Sequence, residues 1–594
     1  MSAVVSRPAA LSAGINSANA APVSPTSLDV FEADKGVCAL LEAFSGTVAH
    51  HTPEPPEDTT PAPPQASAAI VRLDPVREGL PRVGDRWDLD HFRACTLQMP
   101  RPLARALAAS YEEVFNTQGR RAANELALST RERLDSQVPP AARALGLDAD
   151  DNRIRAAAKE AVKMMRSRLE SGHVASALAS ACRMLGTDRI GPDEATEDGQ
   201  IKRVLDETFW RRELRKTLRA WRESAHVLIA PERIKYCSAF GIQEYRTMLQ
   251  NQEKWAAEHE LKNEGGDVLP LPSPAQTAQR QAARTFAITR GMADIAIAAG
   301  MTPTLVTITL ESEWHPTTTK GTGKRRRNPN YNGASAREGA LKLQDRWTKA
   351  RAAWARRGLR SGSDFFWTMG VQPHTDETPH WHAVIWSHPA NWDTMQACIE
   401  RAFRKSDFAG QIDYEKIDDP EAAVGYIIRM LQYATRQIDT HEPDPKKRAE
   451  AMGESAWASA HRLRRVRSSH SHATLWKLAR RKDIDAPPEI KAAAMDGRWA
   501  DFHKSVTALG AKIVYNTHVG RYGETYKKAE GISLADGTYS LVSVRWHITS
   551  KNDPEGTVNL KGQGEPNLPQ NLPPNPNPLA PARAGPPSSR GFLQ

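Results

Sequence analysis

The sequence predicts an α+β protein: a domain with a central antiparallel sheet flanked by helices, preceded by a mainly helical region and bounded by disordered termini. Three observations predict it. Both ends are rich in Pro, Ala and Ser or Asn, as in HTPEPPEDTTPAPPQ and EPNLPQNLPPNPNPLAPARAGPP, and hold too little apolar matter to pack. The stretch WRRELRKTLRAWRE puts Trp210, Leu214, Leu218 and Trp221 on one helical stripe. Between 301 and 440 the pattern runs strand, helix, hairpin, helix, strand, helix, an order that folds into a sheet with helices packed against it.

The expected divisions are an arm over 1–87, a helical basic region over 88–300, the mixed domain over 301–440, a basic module over 441–535 and a mostly disordered tail over 536–594. With 594 residues, 40% hydrophobic and 25% charged, the chain can bury a sizeable core. Its 80 Lys+Arg against 70 Asp+Glu, a net charge of +10, suit a polyanionic partner. The five cysteines, Cys38, Cys95, Cys182, Cys237 and Cys398, lie far apart, which argues against a disulfide framework or a zinc finger. No signal pattern or long apolar run is present, so no membrane association and a cytoplasmic location are expected.

The mixed domain opens with TLVTITLES (304–312), where Leu305, Thr307 and Thr309 face one way and Val306, Ile308 and Leu310 the other. A helix follows, with a capping box at Ser335 and Glu338 and a stop at Gly358; Ala336, Ala340, Leu343, Trp347, Ala350 and Trp354 form its buried stripe. DFFWTMGV and HWHAVIWS then read as two strands joined by a polar turn. A helix near 391–404, the strand QIDYEKI and a final helix opened by Asp419 and Pro420 complete the domain, leaving one sheet face free for a substrate.

The chemistry is concentrated in TPHWHAVIW (378–386). Side chains alternate along a strand, so His380 and His382 share one face while Trp381, Ala383 and Ile385 take the other. The preceding strand ends in VQPHTDET, which brings Gln372, His374 and Asp376 near the pair. Two imidazoles and one of these groups make a three-ligand set with open positions, the arrangement of a catalytic metal. Gln372 is the first choice for the third ligand because it lies on the partner strand; His374 and Asp376 read as turn residues. Imidazoles suit Mn²⁺ or Zn²⁺ better than Mg²⁺. Downstream, AAVGYIIRMLQYATRQ gives a helix with Val424, Ile427, Ile428, Leu431 and Ala434 on its apolar side and Tyr426, Arg429, Met430 and Tyr433 largely on another. A metal polarising a phosphodiester beside a tyrosine hydroxyl makes a transesterification centre.

The P-H-W-H run followed by a helical tyrosine resembles the HUH endonuclease superfamily, whose members carry two histidines separated by a hydrophobic residue. More narrowly, residues 205–525 resemble the replication gene A proteins of temperate phages such as phage P-two, through FWRRELRKTLRAWRE, IKYCS, VTITLESEWHPT, NPNYNGASARE, VQPHTDETPHWHAVIW, AVGYIIRMLQYA and GRYGE. The resemblance implies an HUH-type catalytic domain that nicks one DNA strand at an origin, becomes joined through tyrosine to the 5′ phosphate and leaves a 3′ hydroxyl for rolling-circle replication. It implies His380 and His382 as metal ligands, Tyr426 as the first nucleophile, Arg429 where the family usually has lysine, and Mg²⁺ or Mn²⁺ as the cofactor. Single-stranded or origin DNA, a host replicative helicase and a polymerase are the implied partners. Two departures stand out. Gln372 occupies a ligand position that is typically Glu, and Met430 replaces the second tyrosine, leaving Tyr433, about 10 Å along the helix from Tyr426, as its only nearby substitute.

Lys324, Arg325, Arg326 and Arg327 in KGTGKRRRN are the first choice for phosphate contacts; the GTGK within it lacks the spacing of a P-loop. His470 and His472 repeat the H-x-H spacing among serines without a strand's alternation, and read as a decoy. Two rival readings are a relaxase- or transposase-like strand transferase and a non-catalytic DNA-binding protein with structural histidines.

Overall fold

A computed structural model describes residues 79–319, 323–403, 412–426, 444–469 and 472–557. The first 150 of these build a helical body, including Arg101–Gln118, Arg120–Ser136, Asp151–Glu170 and the long helix α1 (Glu207–Ile229). Phe92, Tyr111, Leu134, Met165 and Leu218 meet in its core. The stripe of α1 is buried at Trp210, Leu214, Leu218 and Trp221. A bend at Pro231–Arg233 leads to α2 (Ala239–Glu258), whose N-cap is Ser238.

The central sheet has five strands, β1 (Thr302–Ile308), β2 (Phe365–Pro373), β3 (Pro379–Ser387), β4 (Ile412–Lys416) and β5 (Val466–Ser468). Their order is β4–β1–β3–β2–β5 and every neighbouring pair is antiparallel. Around them lie α3 (Pro274–Ala298), α4 (Ala336–Arg356), α5 (Pro389–Phe403), α6 (Pro445–Ala460) and α7 (Trp499–Ala508). The capping box of α4 joins Ser335 to Glu338, and its apolar stripe from Ala336 to Trp354 is buried.

One sheet face, with Val306, Ile308, Met369, Trp381 and Ile385, packs under Leu343, Trp347 and Trp354 of α4 and Ile399 of α5. The opposite face, expected to be free, is covered over part of its length. Leu305, Phe366, Val384 and Trp386 point there and pack against Ile288 and Met292 of α3, Trp476, and Trp499 and Phe502 of α7. The reason is the hydrophobic effect: four large apolar side chains on a face need cover, and only the end bearing the histidines lacks them.

Two expected divisions also differ. The module after 441 supplies the edge strand β5 and much of that cover, so it is part of the same core as the mixed domain. Strands His259–Asn263 and Val268–Pro270, inside the region read as helical, join Trp546–Ser550 and Asp553–Thr557, inside the region read as tail, in a four-stranded sheet. These strands are short and polar, and pair across almost three hundred residues, so no local periodicity announces them. Among the described residues no helix is long and apolar enough to cross a membrane.

Candidate active site

The site is built at the turn between β2 and β3. The ladder places Pro373 opposite Pro379, Gln372 opposite His380 and Gly370 opposite His382. Directly opposed residues share a face, so Gln372, His380 and His382 stand on one surface, as the period-two pattern requires. Gly370 gives His382 a neighbour without a side chain. On its other side His382 faces Thr307 of β1, which in turn faces Asp413 of β4, an exposed carboxylate on the same surface.

The turn itself, residues 374–378, is closed by His374 N–H donating to the Thr378 carbonyl at 2.7 Å and Glu377 N–H to the His374 carbonyl at 3.1 Å. This brings the His374 ring onto the His380 ring, with centroids 4.1 Å apart, and His380 lies 4.8 Å from His382. A fourth imidazole, His315, sits 5.0 Å from His374. Its Nδ1 lies 3.3 Å from Asp376 Oδ2, and the same oxygen accepts from Thr317 Oγ1 at 3.0 Å. Asp376 Oδ1 accepts from Thr378 N–H at 3.2 Å, the turn-bracing role read from the sequence. His374, read as a turn residue, joins the imidazole cluster instead. His315 and Asp413 were not singled out in the sequence, and Thr307 only as a strand residue, because the elements that carry them meet the histidine strand only in three dimensions.

Burial favours the neutral form of His374, His380 and His382. Burial, then repulsion from His315, lowers His374 to about 4. Burial, with His374 and His382 adding to it, holds His380 well below the ordinary histidine value, and burial lowers His382. Although burial opposes its ionisation, hydrogen bonds from His315 and Thr378 hold the Asp376 carboxyl well below the usual carboxylate range. Neutral imidazoles are the metal-binding form. Two of their nitrogens, His374 Nε2 and His380 Nδ1, are buried without a hydrogen-bond partner. His382 Nδ1 lies 3.1 Å from Thr307 Oγ1, and the tautomer in which it donates there leaves the Nε2 lone pair for a cation. By donor chemistry the set suits a divalent metal held by His380 and His382 with Gln372 or His374; the ring nitrogens of the three histidines do not all stand within 4.8 Å of one another here, so a shared cation would draw them together.

The helical segment 420–426 packs Ala423 and Val424 into the cluster that contains Leu305, Val384 and Trp386, and Tyr426 packs against the same cluster. Val384 and Trp386 alternate in phase with His380 and His382, so this segment lies on the histidine face. Arg429, Met430 and Tyr433 fall outside the described residues, as does His470; His472 Nε2 lies 3.1 Å from His503 Nδ1 in a separate aromatic cluster with Trp499.

Residues 159–441 match the family model for the bacteriophage replication gene A protein (GPA). That stretch contains the helix α1, the five-residue turn and all four imidazoles. Over that stretch, just under half of the chain, the protein is similar to the bacteriophage replication gene A protein family. Among similar proteins, the replication gene A protein of Escherichia phage 186 is 26% identical over 420 residues, covering 62% of this chain and 58% of that one. The probable replication protein P12 of Pseudoalteromonas phage PM2 is 23% identical over 404 residues, 59% of this chain and 60% of the relative. A probable replication endonuclease from a prophage-like region of Salmonella typhi is 24% identical over 295 residues, 45% of this chain and 35% of the relative. The chain thus spans less than two thirds of the length of these relatives. No solved structure matches it.

The basic run expected to hold phosphate is partly committed elsewhere. Arg325 donates to the Pro231 carbonyl, and Arg327 donates to the Ile229 carbonyl and, at 3.3 Å, to Ser110 Oγ. Arg327 thereby serves the last carbonyl of α1, where a helix leaves acceptors unsatisfied and its dipole is negative, and Arg325 serves the bend that follows. Other guanidiniums gather at the edge strand β5. Arg284, Arg462, Arg464 and Arg465 line a groove of about 810 Å³ with Tyr245 and Trp255, and Arg351 and Arg467 line its neighbour with Trp347 and Trp367. Burial and then the charge of Arg464 lower both Arg284 and Arg467, a sign of like charges crowded together.

Proposed function

We propose that the chain is a phage replication initiation endonuclease that nicks one DNA strand through a covalent tyrosine intermediate. The observation that carries this reading is the packing of a tyrosine-bearing helix onto the face of the sheet that displays His380 and His382, whose imidazoles burial holds toward the neutral form. The names of the relatives, replication gene A protein and replication endonuclease, agree with it.

In this reading His380, His382 and either Gln372 or His374 hold a divalent cation, Mg²⁺ or Mn²⁺, which when bound supplies charge stabilisation at the scissile phosphate. Thr307 fixes the His382 tautomer, and Asp376 with His315 braces the turn. Tyr426 is the nucleophile: its oxygen bonds to phosphorus, the bond to the 3′ oxygen breaks, and the phenol proton ends on that oxygen. The products are a 5′ phosphotyrosine and a 3′ hydroxyl. Bond energy is conserved in the ester, so the step reverses without ATP and strands can be rejoined. The 3′ hydroxyl would serve a host polymerase in rolling-circle replication, with a host helicase opening the duplex. Crowded arginines and aromatic rings around β5 suit the backbone and bases of a single strand.

The test is incubation of the full chain with end-labelled single-stranded origin DNA and Mn²⁺ or Mg²⁺, followed by denaturing electrophoresis. A protein-linked 5′ end supports the reading. Binding without cleavage or adduct in either metal would replace it with a DNA-binding protein whose histidines are structural.

A further inference from the structure

Behind the histidine turn lies a second constellation. Glu223 from α1, Cys237 just before α2 and Glu377 from the turn bring a carboxylate oxygen, a thiol sulfur and a carboxylate oxygen within 4.8 Å of one another, all buried. Cys237 Sγ is 3.6 Å from Glu223 Oε2. On the other side His461, which follows α6, places Nε2 3.1 Å from Glu377 Oε2. Each of the four residues is at most 4% exposed.

We propose that Glu223, Cys237, Glu377 and His461 form a closed binding site for a divalent cation of the zinc type, distinct from the histidine site on the sheet. The donor set of thiolate, imidazole and two carboxylates is one that Zn²⁺ accepts in fourfold coordination. With metal–ligand bonds of about 2.0–2.3 Å, tetrahedral ligands stand roughly 3.3–3.8 Å apart; Cys237 Sγ and Glu223 Oε2 already stand at 3.6 Å, the trio of Glu223, Cys237 and Glu377 lies within 4.8 Å, and His461, 3.1 Å from Glu377 Oε2, would move inward to complete the set.

Independent features point the same way. Glu377 Oε1 is buried and finds no donor other than a protonated Glu223. Glu377 also holds φ at +73°, a left-handed conformation that a residue with a β-carbon seldom adopts, and it does so while delivering its carboxylate inward. A β-carbon on Gly241 would lie 2.2 Å from Glu223 Oε1 and 2.8 Å from Cys237 Sγ, so α2 approaches the pair only because that residue is glycine. Ser238 donates to both oxygens of Glu223, through its hydroxyl at 2.7 Å and its N–H at 3.1 Å, and so orients the carboxylate from outside. Without a cation, burial pushes Glu223 to about 7 and Glu377 to about 8, a desolvation cost that a doubly charged ion would offset.

Such a site would tie together four segments distant in sequence: the last turns of α1, the start of α2, the turn that carries His374 and Asp376, and the end of α6. It would thereby clamp the histidine turn to the helical body. Its ligands are too scattered to resemble a zinc finger, which is why the spacing of cysteines does not reveal it.

The experiment is metal analysis of the full chain after exchange into Mg²⁺ buffer with a weak chelator. About one zinc per chain should remain, as closed structural sites release metal slowly. The His380→Ala/His382→Ala double variant should keep it, whereas Cys237→Ser and Glu223→Gln should lose it, with circular dichroism reporting the fold of each. Replacement by Co²⁺ should give a thiolate-to-metal charge-transfer band in the wild-type chain and in Cys398→Ser, so the reading stands even where a cluster variant fails to fold. A wild-type chain that holds no zinc and shows no thiolate band would overturn the proposal and leave a proton-sharing carboxyl pair that caps α2. Loss of the metal in the double histidine variant would overturn it equally, by assigning the ion to the sheet.

Discussion

Gln372 stands directly opposite His380 on the ladder between β2 and β3, while the ring of His374 approaches that of His380 to 4.1 Å from the turn. Two groups of different chemistry thus compete for one role beside the same imidazole. The neutral amide offers a carbonyl oxygen; His374 offers a buried nitrogen without a hydrogen-bond partner.

Single variants separate them. If Gln372 is the third ligand, Gln372→Ala should weaken metal affinity by roughly 10–100-fold and Gln372→Glu should retain or raise it, since a carboxylate adds charge. If His374 is the ligand, His374→Ala should cause the loss and Gln372→Ala should be mild. Titration of nicking against Mn²⁺ reads both. Equal insensitivity of the two would move the third position elsewhere.

Thr307→Val tests the tautomer argument. Valine keeps the shape and strand preference of threonine but removes the oxygen 3.1 Å from His382 Nδ1. The expected result is a fall in metal affinity of about 10–100-fold with unchanged thermal stability. Normal metal dependence would show that the ring is held by packing alone.

The depressed imidazoles should set the acid limb of the proposed nicking. Because His374 titrates at about 4 and His380 and His382 also lie below the ordinary histidine value, protons compete poorly with metal at pH 6. Metal-dependent nicking should therefore persist below pH 6.5 and decline only on further acidification. The sign for stability is the same: the unfolded chain binds protons between about 4 and 6.5 that native His374 refuses, so its contribution is full above pH 6.5 and lost as pH falls. A pH–rate profile with its acid midpoint at or above 6.5 would contradict the burial of these rings.

The histidine pair and its amide partner were legible because a strand's alternation is a local property, and because two residues two positions apart must share a face. The α4 stripe and capping box were legible for the same reason. What escaped was everything decided by encounters between distant segments. His315 reaches Asp376 across 61 residues. Arg325 and Arg327 look like phosphate ligands in sequence, yet the end of α1 and the bend that follows need donors and take them. The sheet face expected to be open is half covered, since the apolar positions of β3 continue past the histidines to Val384 and Trp386.

That commitment of Arg325 and Arg327 changes where the salt dependence of DNA binding should reside. Neutralising Arg464 and Arg467 together should flatten the slope of log affinity against log salt by roughly 1.4, at about 0.7 per phosphate contact on a single strand. Arg327→Ala should instead lower the thermal midpoint by removing donors from the end of α1, with a smaller change in slope. The reverse pattern would return the DNA contact to the 324–327 run.

The tyrosines provide the sharpest test, because Tyr426 packs against the apolar cluster on the histidine face while Tyr433 lies outside the described residues. Tyr426→Phe keeps the ring that packs against the apolar cluster and removes only the hydroxyl, so the chain should fold with near-native stability and fail to form the covalent adduct. Tyr433→Phe should nick and form adduct normally if that residue is structural. If it is a second nucleophile displaced from the Met430 position, the variant should still nick but fail in the second transfer that releases a closed circle. Mass spectrometry of the DNA-linked peptide decides between them. A linkage at Tyr426 supports the assignment, and a linkage solely at Tyr433, or at neither, removes Tyr426 from the chemistry and leaves it as a packing residue of the sheet's covered half.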